Sequence, residues 1–152
     1  MTDETFMKAA LKEAERAFEK DDCPIGAVII KNGQIVARAH NQVELLKDPT
    51  AHAEIIAITQ AANTIGEERL LDTTMYVTLE PCAMCAGAMV LARIKRLVFG
   101  ATDPKAGACG TLYNITQDER LNHRLEVVSG IMAAESLSLL QEFFRRLRKE
   151  KR

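Results

Sequence analysis

The chain has 152 residues, 47% apolar and 27% charged, with a net charge of −1. That is typical of a soluble globular protein and long enough for one ordinary core. No stretch approaches the roughly 20 apolar residues of a membrane span, and Met1-Thr2-Asp3-Glu4 lacks the basic start and apolar block of a signal peptide, so a single cytoplasmic domain over 1–152 is expected.

Phe6, Ala10, Leu11, Ala14, Ala17 and Phe18 recur at helical spacing, which predicts an amphipathic helix over 3–20 that Pro24 ends. Ile25–Ile30 reads as a strand, Asn32-Gly33 as a tight hairpin turn, and Gln34–His40 as the partner strand. A helix is predicted over 51–65, with Asp48, Pro49 and Thr50 as its cap and first-turn residues. Met75–Leu79 is a buried-type strand, 82–92 a helix opened by Pro81, and Lys95–Gly100 a further strand. Residues 101–118 read as a loop with a short helix, and Leu125–Val128 as a last strand. Ala133–Arg148 reads as a helix with Leu137, Leu140, Phe144 and Leu147 on one broad face. Five strands interleaved with helices predict a mixed sheet with helices on its faces. The motifs fall where strands hand over to helices, which is where open α/β sheets build sites.

His52-Ala53-Glu54 and Pro81-Cys82-Ala83-Met84-Cys85 carry the chemistry. Cys82 and Cys85 are three apart, so a helix places both thiols on one face, near a helix N-terminus that favours the thiolate. His52 and Glu54 are two apart and share no helical face, so both serve one site only at a helix end. Two helix N-termini are therefore expected to point at one metal. Structural zinc sites close with four protein ligands, whereas catalytic ones hold three and keep a place for water, whose pKa falls to about 7. His52, Cys82 and Cys85 as ligands, with Glu54 as an unligated proton carrier, thus predict hydrolysis. Two alternatives stand beside this: a redox Cys-x-x-Cys, and closure of the site by Cys109 or His123. Disulfides are not expected in this compartment.

The last eight residues hold six cations against Glu150, a net +5 that leaves −6 for the rest. They read equally as a solvated helix end and as a phosphate-binding tail.

These motifs resemble the zinc-dependent cytidine/adenosine deaminase superfamily. Pro24-Ile25-Gly26-Ala27-Val28, Asp48-Pro49-Thr50-Ala51-His52-Ala53-Glu54 and Tyr76-Val77-Thr78-Leu79-Glu80-Pro81-Cys82 carry the likeness. Met84-Cys85-Ala86-Gly87-Ala88, Ala92-Arg93-Ile94, Leu121-Asn122-His123-Arg124 and Phe143-Phe144-Arg145 extend it over essentially the whole chain and towards the bacterial tRNA adenosine deaminases. The resemblance implies a three-layer α/β/α, cytidine deaminase-like fold with a central mixed five-stranded sheet. It implies one Zn²⁺ per subunit on His52, Cys82 and Cys85, and Glu54 as the catalytic acid–base. It implies Asn41, the backbone N–H of Ala53 and Asp103 at the substrate. The activity implied is conversion of wobble adenosine to inosine in a tRNA anticodon stem-loop, by a homodimer. Phe143, Arg145, Arg146 and Arg148 would contact the RNA. Phe143 is the expected exposed aromatic and Phe144 the expected core residue, within a basic helix end over about 143–152. The chain departs from the family pattern at Glu68, where an aromatic residue often precedes the counterpart of Arg69-Leu70. A free-base or nucleoside deaminase (guanine or cytosine type) would share the zinc site. A zinc-stabilised RNA-binding subunit without catalysis would have no use for Glu54.

Overall fold

The computed structural model describes residues 2–150; Met1 and, in the basic tail, Lys151 and Arg152 lie outside the described residues. Helix α1 (Asp3–Glu19) starts at Thr2, whose hydroxyl accepts from Thr5 N–H. Strands β1 (Gly26–Lys31) and β2 (Gln34–His40) form the expected hairpin. Asn32 and Gly33 both hold positive φ, 52° and 75°, which is what a type I′ turn demands. A single helical turn, α2 (Val43–Leu46), follows, and nothing in the local pattern announced it. Then come α3 (Ala53–Ile65), β3 (Thr73–Leu79), α4 (Ala83–Ala92), β4 (Arg96–Ala101), β5 (Glu126–Val128) and α5 (Ala133–Glu150).

The five strands lie in the order β2-β1-β3-β4-β5. β1 is antiparallel to β2 and β3, and β3–β4 and β4–β5 are parallel, so the sheet is mixed. Alternation along the strands sends Ile29, Met75, Val77, Leu97 and Phe99 into a core shared with α3 and α4. Val28, Ile30, Tyr76 and Val98 face the other way, against Phe6, Met7, Ala10 and Leu11 of α1. α5 packs on β3 and β4 beside α1, which completes three layers. Gly26 lets α1 lie directly on β1: a Cβ there would collide with Ala10 O and stand 2.5 Å from Ala14 N.

Three local expectations differ from the structure. Cys82 has extended backbone (φ −77°, ψ 175°) and is itself the cap of α4, so Pro81 precedes the cap and does not occupy the first helical position. Likewise His52 caps α3, while Asp48 and Thr50 close a turn ahead of it, with Thr50 N–H and Oγ1–H both donating to Asp48 Oδ1. No helix forms over 102–125, where the only ladder contact is an isolated bridge between Cys109 and Asn114.

The buried face of α5 also differs. Ser136, Leu140 and Phe143 are buried, whereas Leu137 and Phe144 are 48% and 45% exposed. Phe143, expected outside, packs edge-on against Phe18 at 6.1 Å, and Phe144 takes the exposed place. Ser136 sets this phase: its hydroxyl donates to Thr78 O at 2.6 Å, over Gly100, where a Cβ would meet that same oxygen.

Candidate metal centre and its surroundings

The carboxyl ends of β3 and β4, the end of β2 and the N-termini of α3 and α4 converge on one spot. His52 caps α3 and Cys82 caps α4, with Cys85 one turn into α4. His52 Nδ1 lies 3.6 Å from Cys82 Sγ and 3.5 Å from Cys85 Sγ. A tetrahedral zinc with Zn–S of about 2.3 Å and Zn–N of about 2.0 Å sets its sulfur and nitrogen ligands about 3.5 Å apart. The donor set therefore fits zinc in type and spacing.

The electrostatics agree. The hydrogen bond from Cys85 lowers Cys82 to about 4, with His52 also contributing, so one thiolate is favoured in place. That thiolate in turn pushes Cys85 up. His52 is raised, chiefly by its hydrogen bond with Cys82, against the lowering effect of burial.

Among the described residues, the clustered metal-ligating atoms are those of His52, Cys82 and Cys85. His123 Nε2 bonds the Ile94 carbonyl at 2.6 Å, and Cys109 turns towards Pro81 O, so neither closes the site. Cys23, Cys82, Cys85 and Cys109 are all free thiols.

Glu54 stands on the first turn of α3 and is 4% exposed. Its Oε1 has no hydrogen-bond partner, an uncommon state for a buried polar atom that His40 Nε2 and Thr116 Oγ1 share. Burial lifts its carboxyl to about 7.

Asn41 follows β2 and is buried, its Oδ1 accepting from Ala53 N–H at 2.8 Å. Ala53 N–H is thus engaged with Asn41 and holds that side chain. With the oxygen fixed, the Asn41 amide NH₂ is left as the outward donor. Asp103 opens the loop after β4. Its Oδ1 accepts from Lys105 N–H and Ala106 N–H, and its own N–H donates to Glu80 Oε1. Half-buried Cys23, not singled out by its surroundings in the sequence, is pushed up to about 12 by burial and then by Asp22, Asp103 and Glu54.

The basic end of α5 is divided. Arg145 pairs with Glu142 at 3.0 Å, and Arg146 lies over the Phe18 ring at 4.8 Å with Asp21 at 3.4 Å. Arg148 lines a groove of about 410 Å³ with Lys105, Phe144 and Leu147. Lys105 was missed in the sequence because nothing local ties residue 105 to α5.

The profile of the MafB19-like deaminase family matches residues 1–148. A tRNA-specific adenosine deaminase of Bacillus subtilis is 54% identical over 99% of this chain and 93% of its own. A structure from work on A-to-I editing by tRNA:A34 deaminases at the transfer-RNA wobble position shares 46% identity and a TM-score of 0.86, covering 90% of this chain and 99% of that one. A guanine deaminase of Bacillus subtilis shares 33% identity and a TM-score of 0.66, covering 95% of each chain. The chain belongs to the MafB19-like deaminases and, within them, to the tRNA-specific adenosine deaminase group.

Proposed function

We propose that the chain hydrolytically deaminates the wobble adenosine of a tRNA anticodon loop to inosine, with one zinc ion per subunit on His52, Cys82 and Cys85. The observation that carries this is a three-donor cluster at zinc spacing with the unpartnered Oε1 of buried Glu54 beside it. Bound there, zinc makes water a nucleophile at neutral pH. Glu54 would take one proton from the attacking water and deliver it to the ring nitrogen, then take the second from the new hydroxyl at C6 and pass it to the amine, which leaves as ammonia while that oxygen becomes the carbonyl of inosine. The Asn41 amide holds the base or its ribose, and Asp103 borders the nucleotide.

The exposed Phe144 ring, flanked by Lys105 and Arg148, offers a stacking surface between two cations, the pattern that binds single-stranded nucleic acid. RNA contact therefore rests on Phe144, Lys105 and Arg148. Phe143 and Arg146 serve the packing of α5, and Arg145 stays with Glu142. The protein works in the cytoplasm as a single domain over 1–152 and as a homodimer. Among the described residues no helix is long and apolar enough to cross a membrane. The free-base alternative is not favoured, since identity to the tRNA-specific relative exceeds that to the guanine deaminase.

The test is incubation with an anticodon stem-loop, read by sequencing for inosine, beside ammonia release from free adenosine and guanine. Inosine in the stem-loop is expected. Glu54→Gln should cost roughly 10²–10⁴-fold in rate with zinc retained. Turnover of the free base alone would overturn the reading.

A further inference from the structure

Glu80 lies between the end of β3 and Cys82, and is 2% exposed. No cation pairs with it among the described residues. Both carboxylate oxygens are filled from one loop: Oε1 accepts from Asp103 N–H at 3.0 Å and from the Thr111 hydroxyl. Oε2 accepts from Cys109 N–H at 3.0 Å and Thr111 N–H at 3.1 Å. Gly107 lets the loop wrap closely, since a Cβ there would stand 2.5 Å from Glu80 Cδ. The loop forms neither helix nor strand, so this carboxylate replaces the ladder that would otherwise shape it. On it stand Asp103 and Lys105; the second strand to the centre is covalent, through Pro81 to Cys82.

We propose that Glu80 is a positioning residue for RNA recognition: its carboxylate holds residues 103–111 in the shape that presents Asp103 and Lys105 to the nucleotides around the target base. This rests on the tRNA-deaminase reading above. Glutamine in its place keeps the size but turns an NH₂ towards N–H donors, so one half of the clasp becomes donor against donor. The Thr111→Val change removes a single hydroxyl donor and leaves the carboxylate.

The experiment is steady-state kinetics on the anticodon stem-loop with zinc content measured. Glu80→Gln should raise KM by at least 10-fold, with kcat within 3-fold and zinc unchanged. Thr111→Val should raise KM by 3- to 10-fold, which keeps the test open where Glu80→Gln fails to fold. In an Asp103→Asn/Lys105→Ala background the KM effect of Thr111→Val should fall below 2-fold, because both contacts being positioned are gone; a merely structural effect would persist there. An unchanged KM in both variants, a loss confined to kcat or to zinc, or full additivity with Asp103→Asn/Lys105→Ala overturns the proposal. If the unmodified protein leaves the stem-loop untouched, it is the tRNA reading that fails; if the unmodified protein is active and the variants match it, only the role of Glu80 fails.

Discussion

Truncating Phe143 and Phe144 separately to alanine should damage two different properties. Phe143 is 8% exposed and packed on Phe18, whose ring also carries Arg146 at 4.8 Å. Buried Phe→Ala changes cost about 3–5 kcal/mol; near a helix end that can relax, about 3 kcal/mol is expected. In a chain of this size that lowers Tm by about 6–12 °C. Phe144 is 45% exposed, so its truncation should cost less than about 1 kcal/mol. Loss of a base-stacking ring instead weakens RNA binding by about 1–3 kcal/mol, roughly 5- to 150-fold in Kd. The assays are thermal unfolding of the zinc-loaded protein and stem-loop binding measured well below Tm. Phe143 touches the Phe144 ring edge-on at 5.6 Å, so Phe143→Ala should weaken binding as well, but by less than Phe144→Ala does. The opposite pattern, with Phe144→Ala unstable and Phe143→Ala poor in RNA binding, would refute the phase assigned to α5 and the recognition surface built on it.

Binding to the stem-loop should fall steeply with salt, and Lys105→Ala and Arg148→Ala should each flatten the log–log slope by about 0.7, while Arg146→Ala lowers stability by about 1 kcal/mol with the slope kept. Equal flattening by Arg146→Ala would place its guanidinium on phosphate after all. Gly26→Ala should destabilise by about 1–3 kcal/mol in urea titration, because helix backbone stands in the way of the new methyl; a neutral result would mean α1 yields freely. Arg96 holds the Asp3 carboxyl at about 2, below its usual 3.8, through paired hydrogen bonds of 2.8 Å. A depressed acid gives stability that is present above its unfolded value and lost as pH falls from about 4 to 2. Allowing for solvent screening of this partly exposed pair, wild type should exceed Asp3→Asn by about 1 kcal/mol at pH 6, a gap that closes by pH 2. A gap independent of pH would sink that assignment.

The candidate metal centre was readable because its geometry is short-range. A His and a Glu two apart cannot share a helix face, so they announced a helix end, and His52 is the cap of α3. Cys82 and Cys85, three apart, were read onto one face at a helix start, and Cys82 is the cap of α4. The five strands were readable for a similar reason, since short apolar runs and the Asn32-Gly33 turn are local. Phe143 and Phe144 were not decidable locally. Adjacent rings sit about 100° apart on a helix, and apolar residues support either phase. The choice was made by Thr78, 58 residues from Ser136, and by Phe18. Residues 101–118 were expected to hold a short helix that does not form, because the group that shapes this segment, Glu80, is 23 to 31 residues upstream of its partners. Chemistry thus depends on spacings of two and three residues, and recognition on contacts between distant segments. The 102–111 loop and α5 are thus shaped independently of the local spacings around His52 and Cys82, in a fold shared with a guanine deaminase at 33% identity and TM-score 0.66. Substrate preference in this chain should accordingly follow Glu80, Lys105, Phe144 and Arg148 more closely than the zinc ligands.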